Sequence, residues 1–189
     1  MNEKEIIANI KKFRTMHGIS LEQLAGHSGL TKGYLSKIEN SEKAPPFSTL
    51  IKIAKALKVD ITNLITGDLE SRKKDVKLSI VRSGERQKVL RKGGLYSYHY
   101  ESLAFNKPGK NMEPYLIIPA FEEKTVFSHA GEEFMYVLEG KHEFIYGNEK
   151  YILEKGDSIY FDSSVPHTGR SLGKKRAKIL AVLYYYKRR

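Results

Sequence analysis

Residues 20 to 41, SLEQLAGHSGLTKGYLSKIENS, constrain this chain more than any other stretch, because they hold two short helical patterns joined by one glycine-containing turn. In the first pattern Leu21, Leu24 and Ala25 share a face, and Ser20 stands where its hydroxyl can cap the first turn. Gly29 can adopt the left-handed conformation that stops this helix. Thr31 is placed to cap the second helix, in which Leu35 and Ile38 point inward while Lys32, Gly33, Ser36 and Lys37 lie on the other side. Those four are short or cationic, as a surface that enters a nucleic-acid groove must be.

The flanks complete a helical unit. Ile6, Ile10 and Phe13 recur at four- and three-residue spacing and predict an amphipathic helix of about three turns. Pro45 and Pro46 break the chain; Leu50, Ile53, Ala54 and Leu57 then form the apolar face of a fourth helix, and a short fifth from Ile61 to Ile65 ends at Gly67. With Leu24-Ala25, Gly29, Leu35-Ser36, Ile38-Glu39 and the run Ile53-Ala54-Lys55-Ala56-Leu57 in place, this order closely resembles the lambda repressor/Cro type of helix-turn-helix domain, also called the xenobiotic-response-element type, over roughly the first third of the chain. The resemblance implies a five-helix bundle that binds double-stranded operator DNA. It implies that Lys32, Gly33 and Ser36 face base edges and Lys37 a base or a phosphate. Arg14, Asn40 and Ser41 would hold the DNA backbone, with Thr31 at the start of the reading helix and Tyr34 either touching DNA or packing.

A formal charge of +11 suits a polyanionic partner, but its distribution weakens that argument. Residues 1 to 75 carry 13 Lys and Arg against 9 Asp and Glu, a net of +4, so most of the excess lies beyond them. Much of it is Lys174, Lys175, Arg176, Lys178 and the run Lys187-Arg188-Arg189, which reads as solvated surface. The absence of cysteine excludes disulfides, thiolate metal sites and thiol catalysis. No segment approaches the ~18 consecutive apolar residues of a membrane span, and the first residues read as a polar helix rather than a signal peptide, so a cytoplasmic protein is expected.

Residues 67 to 77, GDLESRKKDVK, lack apolar periodicity and read as a linker between a helical domain, 1 to 66, and a second domain, 78 to 189. The texture then changes. Short runs rich in Tyr, Phe, Ile and Val predict strands over Leu95 to Phe105, Tyr115 to Ile118, Thr125 to Ser128, Glu133 to Leu138, Glu143 to Tyr146, Lys150 to Leu153, Ser158 to Phe161 and Ala177 to Tyr186. Gly147-Asn148 marks a tight hairpin, and strands this short favour a sandwich or barrel.

Two stretches carry the chemistry: FSHAGEEFMYVLEG, residues 127 to 140, and GDSIYFDSSVPH, residues 156 to 167. Together they resemble the two motifs of the cupin family, a double-stranded β-helix or jelly roll, with His129, Glu133 and Gly140 at the spacings of the first motif and Gly156 and His167 at those of the second. The resemblance implies that His129, Glu133 and His167 form one face of a divalent metal site for iron, zinc or nickel, leaving other positions open. The sequence departs from the commonest metal-binding cupins at Phe127, where they carry a further His, and at Asp162, Ser164 and Ser171 in the second motif. A polar cluster that hydrogen-bonds an organic effector against an apolar Phe127 wall therefore stands beside the metal reading. Met135 should share the inward face of Glu133, and Tyr98 and Tyr115 are the tyrosines expected in the ligand pocket.

Two functions follow. One is a transcription regulator in which the helical domain binds an operator and the cupin domain senses a small molecule or metal. It would act as a homodimer, since such domains usually read paired half-sites. The other is an enzyme, because a helix-turn-helix followed by a cupin with His-Ala-Gly-x-Glu-Phe also resembles the mononuclear-iron hydroxypropylphosphonate epoxidase, a non-haem iron oxygenase type with a non-regulatory helical domain. The exposed Lys32, Gly33, Ser36 and Lys37 favour the regulator.

Overall fold

The computed structural model of the chain describes residues 3–67, 77–88, 99–107, 109–122 and 125–185. Its contacts divide it into two units, residues 1–80 with 105–109 and residues 81–104 with 110–189. Among the described residues the first unit holds five helices: α1 (Glu3–Met16), α2 (Leu21–Ser28), α3 (Lys32–Glu39), α4 (Phe47–Ala56) and α5 (Ile61–Thr66). Their ends follow side-chain chemistry. The Ser20 hydroxyl accepts from the Gln23 amide at 3.1 Å while the Gln23 side chain accepts from the Ser20 amide at 2.8 Å, a reciprocal capping box on α2. Gly29, at φ 70°, closes α2 in the left-handed conformation, and the Thr31 hydroxyl accepts from the Tyr34 amide to start α3. α4 begins at Phe47, three residues before the apolar run predicts, because Pro46 supplies the break and Phe47 is itself a buried core residue.

The core of this unit is Ile6, Ile10 and Phe13 of α1 with Leu24, Leu35, Ile38, Leu50 and Ile53, all buried. Arg14 and Glu39 fasten the last turn of α1 to the last turn of α3. Arg14 Nε donates to Glu39 Oε1 at 2.6 Å and Nη2 to Oε2 at 2.8 Å, while Nη1 donates to the Ile19 carbonyl at 3.0 Å. A forked guanidinium–carboxylate pair in this half-buried setting sets geometry as well as energy.

The second unit is a sandwich of antiparallel strands: β1 (Gln87–Lys88), β2 (His99–Ser102), β3 (Met112–Ile118), β4 (Glu132–Glu139), β5 (Lys141–Tyr146), β6 (Glu149–Glu154), β7 (Ser158–Asp162), β8 (His167–Leu172) and β9 (Lys178–Tyr184). Six form a sheet in the order β1-β2-β3-β9-β4-β7 and three form a second in the order β6-β5-β8. The cupin jelly roll expected of residues beyond the linker is this arrangement. Alternation assigns the faces: Tyr115, Ile117, Glu133, Val137, Phe161, Ile179, Ala181 and Leu183 turn inward and are buried. The strand predicted over Thr125 to Ser128 is instead one bridge between Phe127 and His167. β8 escaped prediction because its inward positions are His167, Gly169 and Ser171, which carry no apolar alternation.

Those small residues have a packing reason. His142 lies inside the sandwich on β5, opposite Ser171, and a Cβ on Gly169 would stand 2.5 Å from its Cε1. Its Nδ1 lies 3.1 Å from the Arg170 carbonyl. Burial is the larger influence and pushes the imidazole down to about 4, with the Arg170 carbonyl and the Glu143 charge opposing it. The folded pKa is thus below the unfolded value of 6.5, so the unfolded chain binds the proton first and stability is lost as pH falls from about 6.5 through about 4. Chemical denaturation across that window should reveal a loss approaching ~3 kcal/mol in the parent that is missing from His142→Leu. Parallel pH profiles for the two chains would contradict the assignment.

Candidate functional site

On α3 the inward side chains are Leu35 and Ile38, both buried. Thr31, Lys32, Gly33, Tyr34, Lys37 and Asn40 are exposed, and Ser36 and Ser41 are partly so. Lys32 meets Glu22 of α2 at 3.0 Å in a solvent-exposed pair, weak enough for a phosphate to displace. Asn40 donates to the Ser36 carbonyl, and Ser41 closes a turn by accepting from the Lys43 amide. Arg14, expected at the DNA backbone, has its guanidinium engaged by Glu39 and Ile19, so its substitution acts first on the α1–α3 joint.

In the second unit, backbone pairing brings three ligand types together. The Phe127–His167 bridge and a bond from the His129 amide to the Ser163 carbonyl hold the His129 segment against the start of β8. Gly131, at φ 127°, lets that segment enter β4; a Cβ there would lie 2.3 Å from the Tyr184 carbonyl oxygen. Two residues later, in β4, Glu133 points inward. Its Oε1 lies 2.9 Å from His129 Nε2 and 3.5 Å from His167 Nε2, and donor atoms of all three residues lie within 4.8 Å of one another. Burial alone raises a carboxyl, but hydrogen bonds from His129 and His167, with their charge, outweigh it and bring Glu133 down to about 2.

The hydrogen-bond accounting fits a metal ion. His167 Nδ1 lies 2.9 Å from the Val165 carbonyl, which can only accept, so Nδ1 carries a proton, and a ring with that one proton alone would turn the Nε2 lone pair toward Glu133. Two lone pairs cannot face each other in a buried site; either the ring holds both protons or a cation lies between. His129 turns its Nε2 to Glu133 and leaves Nδ1, on the other side of the ring, buried with no hydrogen-bond partner among the described residues. Donors sharing one ion at about 2.1 Å lie roughly 3.0 to 3.4 Å apart, close to the two separations to Glu133. A contact of the Val165 kind is what fixes the tautomer of an imidazole that ligates a metal.

Of the other expected pocket residues, Phe127 stacks at a tilt with its ring 6.1 Å from His167, and Met135 follows Glu133 on the inner face. Tyr115 is fully buried one row deeper, and Tyr98 lies outside the described residues. Sequence reasoning missed Glu113, Lys110 and Tyr185. Glu113 and Glu133 share one inner row across β3, β9 and β4, separated by Leu183. Lys110 meets Glu113 at 3.0 Å, both side chains nearly buried, and the Tyr115 hydroxyl lies 3.5 Å from the same carboxylate. The Tyr185 ring lies 5.0 Å from that of His129, and burial first, then the charges of Glu133, Tyr100 and Glu113, push its hydroxyl well above the usual tyrosine value. Alternation was the available signal, since the pattern that turns Tyr115 inward turns Glu113 inward too.

The helical unit and the His–Glu–His sandwich define a two-domain protein of the class that joins a helix-turn-helix to a cupin. Family profiles agree: the helix-turn-helix profile matches residues 10–64 and the cupin domain profile residues 115–183. The control protein C.SmaI of Serratia marcescens is 42% identical over 67 residues, 35% of this chain and 80% of that protein. The HTH-type transcriptional regulator SutR of Escherichia coli K12 is 25% identical over 176 residues, 93% of this chain and 92% of that one. The crystal structure of a helix-turn-helix family transcriptional regulator from Vibrio cholerae has the same fold, with a TM-score of 0.58, 22% identity, and coverage of 99% of this chain and 98% of that one. The chain belongs to the helix-turn-helix family and carries a cupin domain behind the helical unit. No helix among its described residues is long and apolar enough to cross a membrane.

Proposed function

We propose that this protein is a sequence-specific, DNA-binding transcription regulator whose cupin domain senses a small molecule or a metal. The observation that carries the reading is the division of α3: Leu35 and Ile38 are spent on the core, which leaves Lys32, Gly33, Tyr34 and Lys37 exposed along one surface with Ser36 between them. A short helix held by its apolar side and open on a small, basic side is what a major groove accepts. Lys32, Gly33 and Ser36 read base edges in this account. Lys37, Asn40 and Ser41 contact phosphates, and Thr31 and Tyr34 flank them. The protein works in the cytoplasm as a homodimer on paired half-sites.

His129, Glu133 and His167 hold one divalent ion, iron, zinc or nickel, and the ion sets operator affinity alone or together with an organic ligand. When bound it supplies an electrophilic centre with open positions for a ligand's oxygen or nitrogen donors. Glu133 supplies the negative charge, the Val165 carbonyl orients His167, and Phe127 and Met135 form apolar wall beside it. The same three ligands favour a second reading, a mononuclear non-haem iron oxygenase or epoxidase, because a three-residue set leaves room for substrate. An enzyme has no need of the exposed basic face of α3. Oxygen uptake by the iron-loaded chain separates the two readings.

Two experiments follow. Lys32→Ala and Ser36→Ala should each reduce discrimination between operator and random duplex by about 1 to 3 kcal/mol in binding titrations, while the affinity of the parent falls steeply with added salt. Equal losses on both duplexes would remove base readout. For the metal, His129→Ala, Glu133→Ala and His167→Ala should each lower tightly bound ion well below one per chain by elemental analysis, because a three-ligand site has no spare donor. Content unchanged in all three would place the ion elsewhere.

A further inference from the structure

The two sheets of the cupin unit present unlike outer faces. On the three-stranded sheet, outward side chains form ion pairs: Lys141 with Glu154 at 2.6 Å, Arg170 with Glu143 at 2.7 Å and Lys150 with Glu143 at 3.3 Å. That is ordinary solvated surface. The six-stranded sheet differs. Register places Tyr160, Phe134, Val182 and Pro114 in one outward row across β7, β4, β9 and β3. The next row is Ser158, Tyr136, Leu180 and Leu116. Eight neighbouring positions carry no charge in a chain where 55 of 189 residues are charged, and all but Leu116, which is buried, are at least partly exposed. Several are open to solvent: Tyr160 is 66% exposed and Tyr136 38%, with Met112 at 61% and Tyr184 at 41% in the row beside them.

We infer that this outer face of β3, β9, β4 and β7 is a two-fold interface with a second copy of the same chain. The inference deepens the proposed function by naming the surface that pairs two DNA-reading units. Three arguments carry it. The first is charge: a molecule at +11 repels its own copy, and the only Lys or Arg among the described outward residues of these four strands is Lys178, already paired with Glu139 at 3.0 Å. The face is thus one where two copies can meet without cation facing cation, and it offers nothing to DNA. The second is area. Four strands about 4.8 Å apart and four rows about 7 Å apart make roughly 500 Å² in flat projection, which the relief of tyrosine and methionine side chains enlarges. A standard interface takes about 800 Å² of accessible surface per partner, so the face supplies the larger part and its rim must supply the rest. The third is anatomy: an uncharged centre bearing Tyr136, Tyr160 and Phe134, with Glu132 and Asp162 along one end, has the apolar centre and polar rim of a protein interface, and a two-fold axis through that centre keeps the acidic ends of the two copies apart. The exposed Tyr151 and Ile152 of edge strand β6 are a poorer candidate, because they lie on opposite faces of the strand and Lys150 and Glu154 flank Ile152 on its own face.

Sedimentation equilibrium of the full chain without DNA, over a micromolar concentration series, tests this. The parent should be a dimer. Tyr136→Glu places two carboxylates at the centre of the contact and should raise the dimer dissociation constant by about 100-fold or more, and Tyr160→Glu should act the same way from the neighbouring row. Ile152→Glu, on the outer face of the other sheet, should leave it unchanged. Far-ultraviolet circular dichroism identifies any variant that has lost its fold, and Tyr160, being largely exposed, keeps the test alive if Tyr136→Glu fails. A monomeric parent, a dimer indifferent to both tyrosine changes while folded, or a dimer broken by Ile152→Glu overturns the inference. A dimer that behaves as expected yet selects no DNA sequence leaves the interface standing and removes the regulator reading; a monomer that binds an operator does the reverse.

Discussion

A carboxylate buried in a β-sandwich costs several kcal/mol unless hydrogen-bond donors or a cation meet it, and Glu133 is met on a single oxygen by two imidazoles. Much of the cupin unit follows from that requirement. β4 must carry Glu133 inward, the chain must turn through Gly131 to bring His129 beside it, and β8 must begin at His167 rather than with an apolar residue. The proton on His167 Nδ1 is then committed to Val165, so Nε2 must either carry a second proton for Glu133 or meet it through a cation. A cation meets that demand in one step.

The helical unit answers a different demand. A helix that must leave one side bare for DNA can keep only its other side for stability, and α3 has just Leu35 and Ile38 to bury. The shortfall is met at its ends, by the Thr31 cap and by the fork between Arg14 and Glu39. Residues that hold α3 in place therefore lie beside those proposed to read bases, and a loss of DNA binding on changing Arg14 reports first on the joint between α1 and α3.

Legibility in the sequence tracked how local each determinant was. Caps, the Gly29 and Gly67 stops and the apolar faces of α1 to α5 are written within a few residues of where they act, and the helices could be read to within three residues or so of their observed starts. The pairing of His129, Glu133 and His167 was legible through motif spacing. Residues whose role depends on partners distant in the chain were not: β8 is a strand because of what it packs against, Gly169 is small because His142 needs the space, and Glu113 joins the row of Glu133 only through β9. Phe127 was expected within a strand, but its pairing is one bridge to His167, since the chain there serves the His129 turn. Arg72, Lys73 and Lys74, the basic centre of the linker, lie outside the described residues.

In the proposed regulator the two halves are joined by a coupling free energy, and linkage makes it reciprocal: an ion that changes operator affinity must have its own affinity changed by the operator to the same extent. The direct measurement is a binding titration of operator DNA with the full chain, stripped of metal and then loaded, for the parent and for Glu133→Gln. The account predicts that loading shifts the parent's operator affinity by about 5- to 150-fold, that saturating operator shifts metal affinity by the same factor, and that Glu133→Gln shows neither shift. Operator affinity that is identical in the stripped and loaded parent would contradict it.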